Sequence, residues 1–285
     1  MERITKEYVK SVLPVRDPYG HKGTFGKVLC VCGSVGYTGA PVFASRAAVR
    51  TGSGLVFLAV PERIWQVVAV KSDEAMPFPM PEDDAGRLHG VCWNALAERA
   101  KACDAVLYGC GLGRSAGLNE LVRQVLTLPQ PVVLDADGIN ALSGHMDVLE
   151  RRHGITVLTP HEGEFLRVGG DLRRGRIDAA VDFAEKHGVY LVLKGHETVV
   201  AAPDGRWRVN TTGNSGMAKG GSGDVLAGMI VSLLGQGMEA MDACCAAVYL
   251  HGLAGDLAAE KKGERGMTPT DLLERIPYAF VKTEK

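Results

Sequence analysis

The stretch "NSGMAKGGSGDVLAGMIVSLLGQG" (residues 214–237) joins a cluster of small residues and one acid to a long apolar run. The apolar residues after Asp224 recur at helical spacing, so the glycines lie at the N-terminus of a predicted helix. Backbone N–H groups at such an end are unpaired, and the helix dipole favours a negative charge there. The stretch therefore predicts an anion site, suited to phosphate, formed by Gly220, Gly221, Ser222 and Gly223.

Asp224 is an unexpected neighbour for such a site. A carboxylate repels a phosphate, unless the acid takes part in chemistry or caps the helix. Glycines cost conformational entropy, so three of them with a hydroxyl and an acid at a helix start favour a ligand site over simple packing. Asp224 is therefore the first candidate for a catalytic residue.

The composition limits the classes of protein. The chain has 285 residues, 46% of them apolar, and a formal net charge of -1, which suits one α/β domain over residues 1–285 and gives no reason to expect nucleic acid or a membrane as partner. The seven cysteines lack C-x-x-C spacing, so reduced, buried thiols are expected. The N-terminal "MERITKEYVKSVL" has no apolar signal-peptide core, and no apolar run is long enough to span a bilayer. We expect a cytoplasmic protein.

Strand-like apolar runs alternate with helical patterns along most of the chain. This alternation predicts a mostly parallel central sheet with helices on both faces. The predicted strands lie at 27–33, 54–60, 103–109, 131–138, 155–160 and 189–195. A Pro-Asp-Gly turn within residues 197–210 predicts a hairpin, and a long helix is predicted from about Glu239 to Glu260.

Polar and glycine residues end these strands. In an open α/β sheet, ligands bind beyond the carboxyl ends of the strands. We therefore expect one crevice to gather the loop before Asp224 with the residues Gly33, Gly109, Asp135, His161 and Lys194.

Two glycine-rich turns follow strands, "GSVGYTGA" (33–40) and "GCGLGRS" (109–115). The first has G-x-x-G-x-x-G spacing and no Walker lysine, so it matches neither common nucleotide fingerprint. For each turn, tight packing and ligand contact both stay open. Two such turns on one rim would leave room for a large ligand.

Three further stretches carry candidate polar residues. In "LDADGINAL" (134–142), Asp137 is typical of a helix cap. "TPHEGEFLRV" (159–168) is not the H-E-x-x-H of a zinc protease, and His161 either belongs to a capping cluster or contacts a ligand. In "LKGHETVV" (193–200), Lys194 and His196 either meet phosphate or lie in an exposed turn.

Taken together, "GNSGMAKG", "GSGDVLAG", "LDADGINAL", "TPHEGEFLRV" and "KGHETVVAAPDG" resemble the ribokinase-like superfamily. Within it, the chain is similar to the NAD(P)H-hydrate dehydratases, with motifs in order from about Gly33 to about Gly237. The family's epimerase module has no counterpart in this sequence. The resemblance implies an enzyme that uses ADP or ATP to dehydrate the S form of NAD(P)H hydrate, which regenerates NAD(P)H and, with ADP, releases AMP and phosphate.

The resemblance also implies roles for individual residues. Asp224 would act as the base on the substrate hydroxyl, and Gly223 with its neighbours would bind the transferring phosphate. The nucleotide would contact Lys194, Gly195, His196, Glu197, Thr198 and Gly223. The pocket for the hydrate would be lined by Ala40, Gly113, His161 and Asp224. Mg²⁺ would offset the phosphate charge without an assigned protein ligand, and a homotetramer is expected.

Three positions depart from the family pattern. Lys219 stands where a small residue is usual and would add a charge near the phosphates, Ser222 replaces a threonine but keeps the hydroxyl, and Glu162 replaces a proline. Two other functions stay open. A ribokinase-like kinase of a hydroxymethylpyrimidine or thiazole alcohol would use the same anion site and Asp224, and a nucleotide-binding protein without turnover would not need Asp224.

Overall fold

The computed structural model describes residues 2–152 and 154–285. Within these ranges, nine strands form one sheet in the order β3-β2-β1-β4-β5-β6-β7-β8-β9. The strands are β1 (Lys27–Val31), β2 (Leu55–Pro61), β3 (Met76–Met80), β4 (Ala105–Tyr108), β5 (Val132–Leu134), β6 (Thr156–Leu158), β7 (Tyr190–Leu193), β8 (Val199–Ala201) and β9 (Trp207–Val209). Strands β1 to β7 run parallel, and β8 and β9 are antiparallel to their neighbours. The predicted mostly parallel sheet is confirmed.

Helices cover both faces of this sheet. They are α1 (Lys6–Val12), α2 (Gly39–Arg50), α3 (Glu62–Val70), α4 (Trp93–Lys101), α5 (Ala116–Val125), α6 (Asp137–Asn140), α7 (Asp147–Glu150), α8 (Glu162–Arg167), α9 (Arg176–His187), α10 (Ser222–Gly235), α11 (Ala240–Gly266) and α12 (Pro269–Glu284). Short 3-10 turns lie at Gly90–Cys92 and Ser215–Met217. In α11 the backbone leaves the helical region at Gly263, beyond the end expected from the sequence.

Successive residues of the central strands enter two separate cores. Val28 and Cys30 of β1 pack in the core formed with α2, α10 and α11, whereas Leu29 and Val31 pack in the core formed with α4, α5 and α9. Both faces of a parallel sheet are buried, which explains why these strands read as continuous apolar runs instead of alternating ones. All seven cysteines are buried free thiols, as expected.

Strand β3 is absent from the strands that the sequence predicts. Its sequence "MPFPM" contains two prolines, and proline lacks the N–H that a strand with neighbours on both sides would use. The strand lies at the edge of the sheet and pairs only with β2 in the described structure, so the missing donors cost little there. The hairpin within residues 197–210 is confirmed as β8 and β9.

The carboxyl ends of the parallel strands meet along one rim, as predicted. The N–H of Gly33 donates to the carbonyl of Cys110 (2.8 Å), and the N–H of Lys194 donates to the carbonyl of Pro160 (2.8 Å). These bonds join the turns that follow β1, β4, β6 and β7. Among the described residues, no helix is both long and apolar enough to cross a bilayer.

Candidate functional site

Helix α10 begins beside this rim. Gly221 is its N-cap with a positive φ of 105°, and no side chain caps the helix. Asp224 is therefore the third residue of the helix and not its cap, which rules out the capping interpretation. Across the described chain, the N–H groups of Gly223 and Asp224 have no hydrogen-bond acceptor, as the anion-site interpretation requires.

Glycine is required at the N-cap for two reasons. A positive φ is costly for residues with a Cβ, and a Cβ at Gly221 would lie 2.8 Å from the ring of Phe43. At Gly220, by contrast, a Cβ would meet no atom within 4 Å. The start of α10 is thus fixed against α2 by Gly221, while the preceding residue faces open space.

Asp135 forms the centre of a buried polar network. Its side chain is only 2% exposed, and its Oδ1 accepts hydrogen bonds from the ammonium of Lys194 (2.8 Å) and the hydroxyl of Thr159 (2.6 Å). The thiol of Cys110 lies 3.6 Å from Oδ2. Glu164 adds a second carboxylate 3.9 Å from the same ammonium. Two carboxylates therefore surround one lysine, whose side chain is 19% exposed.

Asp224 belongs to the same group of side chains. A ligand atom from each of Cys110, Asp135 and Asp224 lies within 4.8 Å of the other two. Burial and the negative charge of Asp135 raise the pKa of Asp224 to about 7, although the Cys110 thiol and the Lys194 ammonium act in the opposite direction. A carboxylate with such a pKa can accept a proton near neutral pH, as a general base must.

The two glycine-rich turns, which carry residues predicted to line a hydrate pocket, contact each other. The hydroxyl of Ser34 donates to the carbonyl of Gly111 (2.8 Å), and a Cβ at Gly111 would lie 2.8 Å from that of Ala40. The N–H of Gly113 donates to Asp137 (2.8 Å). Ala40, at the start of α2, therefore lies against the turn after β4 that contains Gly113. At Gly109 a Cβ would lie 1.9 Å from the carbonyl of Asp135, so close approach requires glycine.

His161 has the capping role that the sequence offered as one of two alternatives, and its contact with a ligand stays a prediction. Its Nδ1 accepts from the N–H groups of Gly163 (3.0 Å) and Glu164 (3.3 Å), and Glu164 accepts from the N–H of His161, which forms a capping box. The ring is nevertheless 57% exposed. The capping cluster is confirmed, and Nε2 of the ring lies 3.4 Å from Oε1 of Glu164.

The predicted nucleotide residues divide into two groups. The ammonium of Lys194 points inward to Asp135, whereas His196 and Glu197 are exposed and line a cavity of about 370 Å³ with Arg176. Glu197 has a positive φ of 56°, which is uncommon for a residue with a side chain. The hydroxyl of Thr198 closes the turn on the carbonyl of Gly195 (3.1 Å). Lys194 thus belongs to the buried polar network around Asp135, and the rest of the segment forms an outer turn.

Two of the three departures from the family pattern, Lys219 and Glu162, have side-chain partners, whereas the contact of Ser222 is made by its backbone. Lys219 donates to the backbone carbonyls of Arg265 (2.8 Å) and Met267 at the junction of α11 and α12. Glu162 forms an ion pair with Arg176. The carbonyl of Ser222 lies 3.0 Å from Nε2 of His251. The expected effect of Lys219 on the choice of nucleotide stays a prediction.

Several residues of this site have no motif that marks them in the sequence. Asp135 is predicted on the rim without a function, and the only local signal at Cys110 and Thr159 is that each lies within two residues of the end of a strand. His251 lies within α11, and no local pattern marks it. Burial lowers the pKa of His251 to about 4, so its neutral ring can donate to the first turn of α10.

The fold is ribokinase-like, because the structure superposes on a ribokinase-like superfamily protein of Enterococcus faecalis with a TM-score of 0.86 at 26% identity, over 100% of this chain and 97% of that chain. The chain belongs to the NAD(P)H-hydrate dehydratase family, whose model matches residues 28–278. The sequence resemblance to this family is confirmed.

Individual relatives agree with this assignment. The chain is 42% identical to a bifunctional NAD(P)H-hydrate repair enzyme of Moorella thermoacetica over 99% of the chain and 54% of that protein. It is 32% identical to the ADP-dependent (S)-NAD(P)H-hydrate dehydratase of Bacillus subtilis over 98% of each. The crystal structure of an ADP/ATP-dependent NAD(P)H-hydrate dehydratase from Bacillus subtilis, co-crystallised with ATP/Mg²⁺, superposes with a TM-score of 0.88 at 32% identity, over 99% of each chain. The chain spans about half the length of the bifunctional relatives.

Proposed function

We propose that this chain dehydrates the S form of NAD(P)H hydrate with ADP as phosphate donor, releasing AMP and phosphate and regenerating NAD(P)H. ATP is the alternative donor. The observation that carries this proposal is the pairing of Asp224, whose pKa is about 7, with unpaired N–H groups in the first turn of α10. An acceptor hydroxyl needs the first feature and a transferring phosphate needs the second. The relative of similar length in Bacillus subtilis carries the same activity in its name.

In the proposed reaction, the Asp224 side chain and the backbone N–H groups of the first turn of α10 have different roles. As the C6 hydroxyl oxygen of the hydrate bonds to the terminal phosphorus of the nucleotide, the proton of that hydroxyl passes to Asp224 and AMP leaves from ADP. The N–H groups of Gly223 and Asp224 stabilise the negative charge that develops on the phosphate oxygens. The phosphate then departs from C6 with the electrons of the C–O bond and a proton leaves C5, so the C5–C6 double bond of the reduced nicotinamide is restored. The substrate hydroxyl lies between Asp224 and the phosphate and so separates two groups that repel each other.

Two pockets flank this centre. We place the hydrate against Ala40, Gly113 and His161, where the turns after β1 and β4 meet and the histidine ring is 57% exposed. We place the nucleotide along residues 194–198, with its phosphates directed at Gly220, Gly221, Ser222 and Gly223. Open space beside Gly220 supports this direction of approach.

The residues beside Asp224 do not suit a protein-bound Mg²⁺. The grouping contains the Cys110 thiol, and Mg²⁺ prefers oxygen ligands in octahedral geometry. The Asp135 carboxylate is already occupied by the Lys194 ammonium. We propose that Mg²⁺ binds to the nucleotide phosphates and enters with them, which agrees with the ATP/Mg²⁺ of the Bacillus subtilis crystals.

Further parts of the proposal concern the protein as a whole. We propose a single catalytic domain over residues 1–285, supported by one continuous sheet through the described chain. We propose a homotetramer from the family likeness and a cytoplasmic location from the composition and the N-terminal sequence. No feature of the net charge, -1, favours nucleic acid or a membrane as partner.

The deciding experiment supplies the purified protein with Mg²⁺, ADP and the S form of NADH hydrate. Absorbance of the reduced nicotinamide should return, with AMP and phosphate formed in step, and omission of the nucleotide should stop the reaction. ATP is tested in parallel. Phosphorylation of a pyrimidine or thiazole alcohol without recovery of NADH would replace this function with a kinase. Nucleotide binding without any turnover would favour a binding protein.

A further inference from the structure

Asp135 holds together the ends of four strands. It directly follows β5, and its partners Cys110, Thr159 and Lys194 follow β4, β6 and β7. The proposed reaction so far uses Asp224 and the first turn of α10 but gives Asp135 no part. A buried carboxylate that accepts from both an ammonium and a hydroxyl is costly to desolvate unless its partners are well placed, so its presence needs an explanation.

Among the partners of Asp135, Lys194 is the one whose charged end lies beside the first turn of α10. Its Nζ lies 2.8 Å from Asp135, and a Cβ built at Gly223 would lie only 3.3 Å from the same atom. The ammonium is therefore between the Asp135 carboxylate and the first turn of α10. A lysine has a flexible four-carbon stem, so something must fix its charged end. Asp135 is suited to do this because Thr159 holds its Oδ1 in place (2.6 Å).

We propose that Asp135 is a positioning residue, which holds the ammonium of Lys194 beside Gly223 at the point where phosphate is transferred. This inference rests on the proposed function. In this arrangement the ammonium is in place before the nucleotide binds, and it meets the charge that develops on the transferring phosphate without reorganisation. Lys194 then acts in the transfer step, while the outer turn of residues 195–198 contacts the rest of the nucleotide.

The charges around the two groups support this role. Burial alone would lower the pKa of Lys194, but Asp135 and Glu164 outweigh it and raise that pKa above its usual value, so the amine stays protonated. Four titratable groups act on the pKa of Asp224: Asp135 and Asp137 raise it, and Lys194 and the Cys110 thiol lower it. From α11, His251 contacts the preceding turn at Ser222. Loss of the Asp135 charge would therefore make Asp224 more acidic.

The test is the full-length variant Asp135→Asn, which keeps the shape and removes the charge. The kcat should fall roughly 10²-fold, the scale associated with a catalytic group displaced by about 1 Å. The nucleotide KM should not rise, because a negative charge beside the phosphate site has been removed. The acid limb of the pH profile of kcat/KM should move to lower pH, because ionised Asp224 no longer faces the Asp135 carboxylate.

Asp137→Asn is the matched control, because the same change is made two residues away. Asp137 accepts from the N–H of Gly113 (2.8 Å) and from Asn140 (3.2 Å). Its loss should mainly raise the KM for the hydrate and shift the acid limb less. Thr159→Val is the second test variant if Asp135→Asn does not fold. Its kcat should fall several-fold with an unchanged nucleotide KM.

A titration without substrate separates this inference from the proposed function. Protein with ¹³C-labelled aspartate carboxyls should show Asp224, assigned through Asp224→Asn, titrating near neutral pH in the wild type and at lower pH in Asp135→Asn. That result stands even if no NADH is recovered. Unchanged kcat and an unchanged Asp224 titration would overturn the inference. So would weaker ADP binding with a parallel drop in melting temperature, because Asp135 would then only support the fold.

Discussion

Two ion pairs lie beyond the carboxyl ends of the strands, and they differ mainly in burial. In the inner pair, Asp135 and Lys194 are 2% and 19% exposed and lie beside Asp224. In the outer pair, Glu162 and Arg176 are 55% and 26% exposed and support the turn of residues 195–198. Arg176 also donates to the carbonyls of Leu193 (3.0 Å) and Lys194 (3.2 Å).

This difference in burial predicts that the inner pair affects the reaction, whereas the outer pair only stabilises the turn of residues 195–198. A charge in a buried site interacts strongly with its neighbours and shifts their pKa values, as Asp135 does for Asp224. An exposed pair is screened by water and contributes about 0–1 kcal/mol. Substitutions of the inner group should therefore change rate and pH dependence, whereas substitutions of the outer pair should change nucleotide affinity slightly.

The largest effect is expected from Asp224→Asn. Without the proton acceptor, kcat should fall by about 10²–10⁴-fold, while ADP affinity measured by calorimetry stays nearly the same because the shape is retained. A near-normal kcat would show that Asp224 is not the base. The expected difference in rate effects between the inner and outer groups would then have no support.

Asp224→Asn should lower kcat but raise the stability of the folded protein at neutral and higher pH. The folded-state pKa of Asp224, about 7, lies above the ordinary value of 3.8, so the wild type loses stability as pH rises from about 4 through 7. Asp224→Asn removes that loss. Its melting temperature should exceed that of the wild type by more at pH 8 than at pH 5, as measured by calorimetric scans at both values. An equal difference at both values would mean that Asp224 is not the source of this dependence.

A smaller effect is expected from Gly223→Val. A Cβ at this position would lie 3.3 Å from Nζ of Lys194, and the branched side chain would crowd the N–H groups of the first turn. ADP should bind roughly 10-fold more weakly, which corresponds to about 1.4 kcal/mol, the scale of one hydrogen bond to a charged group. Gly220→Val is the comparison, because a Cβ there meets open space and binding should weaken less. Equal losses would argue against an approach of phosphate at Gly223.

The contrast between the two pairs also shows what the sequence could predict. Local patterns predict the parallel sheet, the rim and the first turn of α10. Apolar runs and a glycine cluster can each be recognised within a few residues of sequence. The strand-end rule placed Asp135 and Lys194 on the rim. The contact between them did not follow, because the two residues are 59 positions apart and their pairing depends on the register of β5, β6 and β7.

Other features depended on the environment of single residues. Strand β3 was missed because its two prolines are tolerated only at a sheet edge, and the strand order shows that edge. The reason for Glu162 was not visible in the sequence because Arg176, its partner, begins a different helix. The pKa of Asp224 depends on burial and on Asp135, neither of which a motif records.

The smallest effect is expected in the outer pair, from Glu162→Gln. Arg176 would lose an exposed partner but keep its two bonds to the carbonyls of Leu193 and Lys194, so the turn of residues 195–198 should stay in place. The nucleotide KM should rise about two- to threefold, since an exposed pair contributes at most about 1 kcal/mol. The kcat and the acid limb of the pH profile should not change, and high salt should reduce the difference from the wild type because it screens exposed charges. Arg176→Met removes the carbonyl bonds as well and should raise the nucleotide KM further. If Glu162→Gln instead lowered kcat as much as Asp135→Asn, the outer pair would take part in the transfer step, and burial would not be what separates the two.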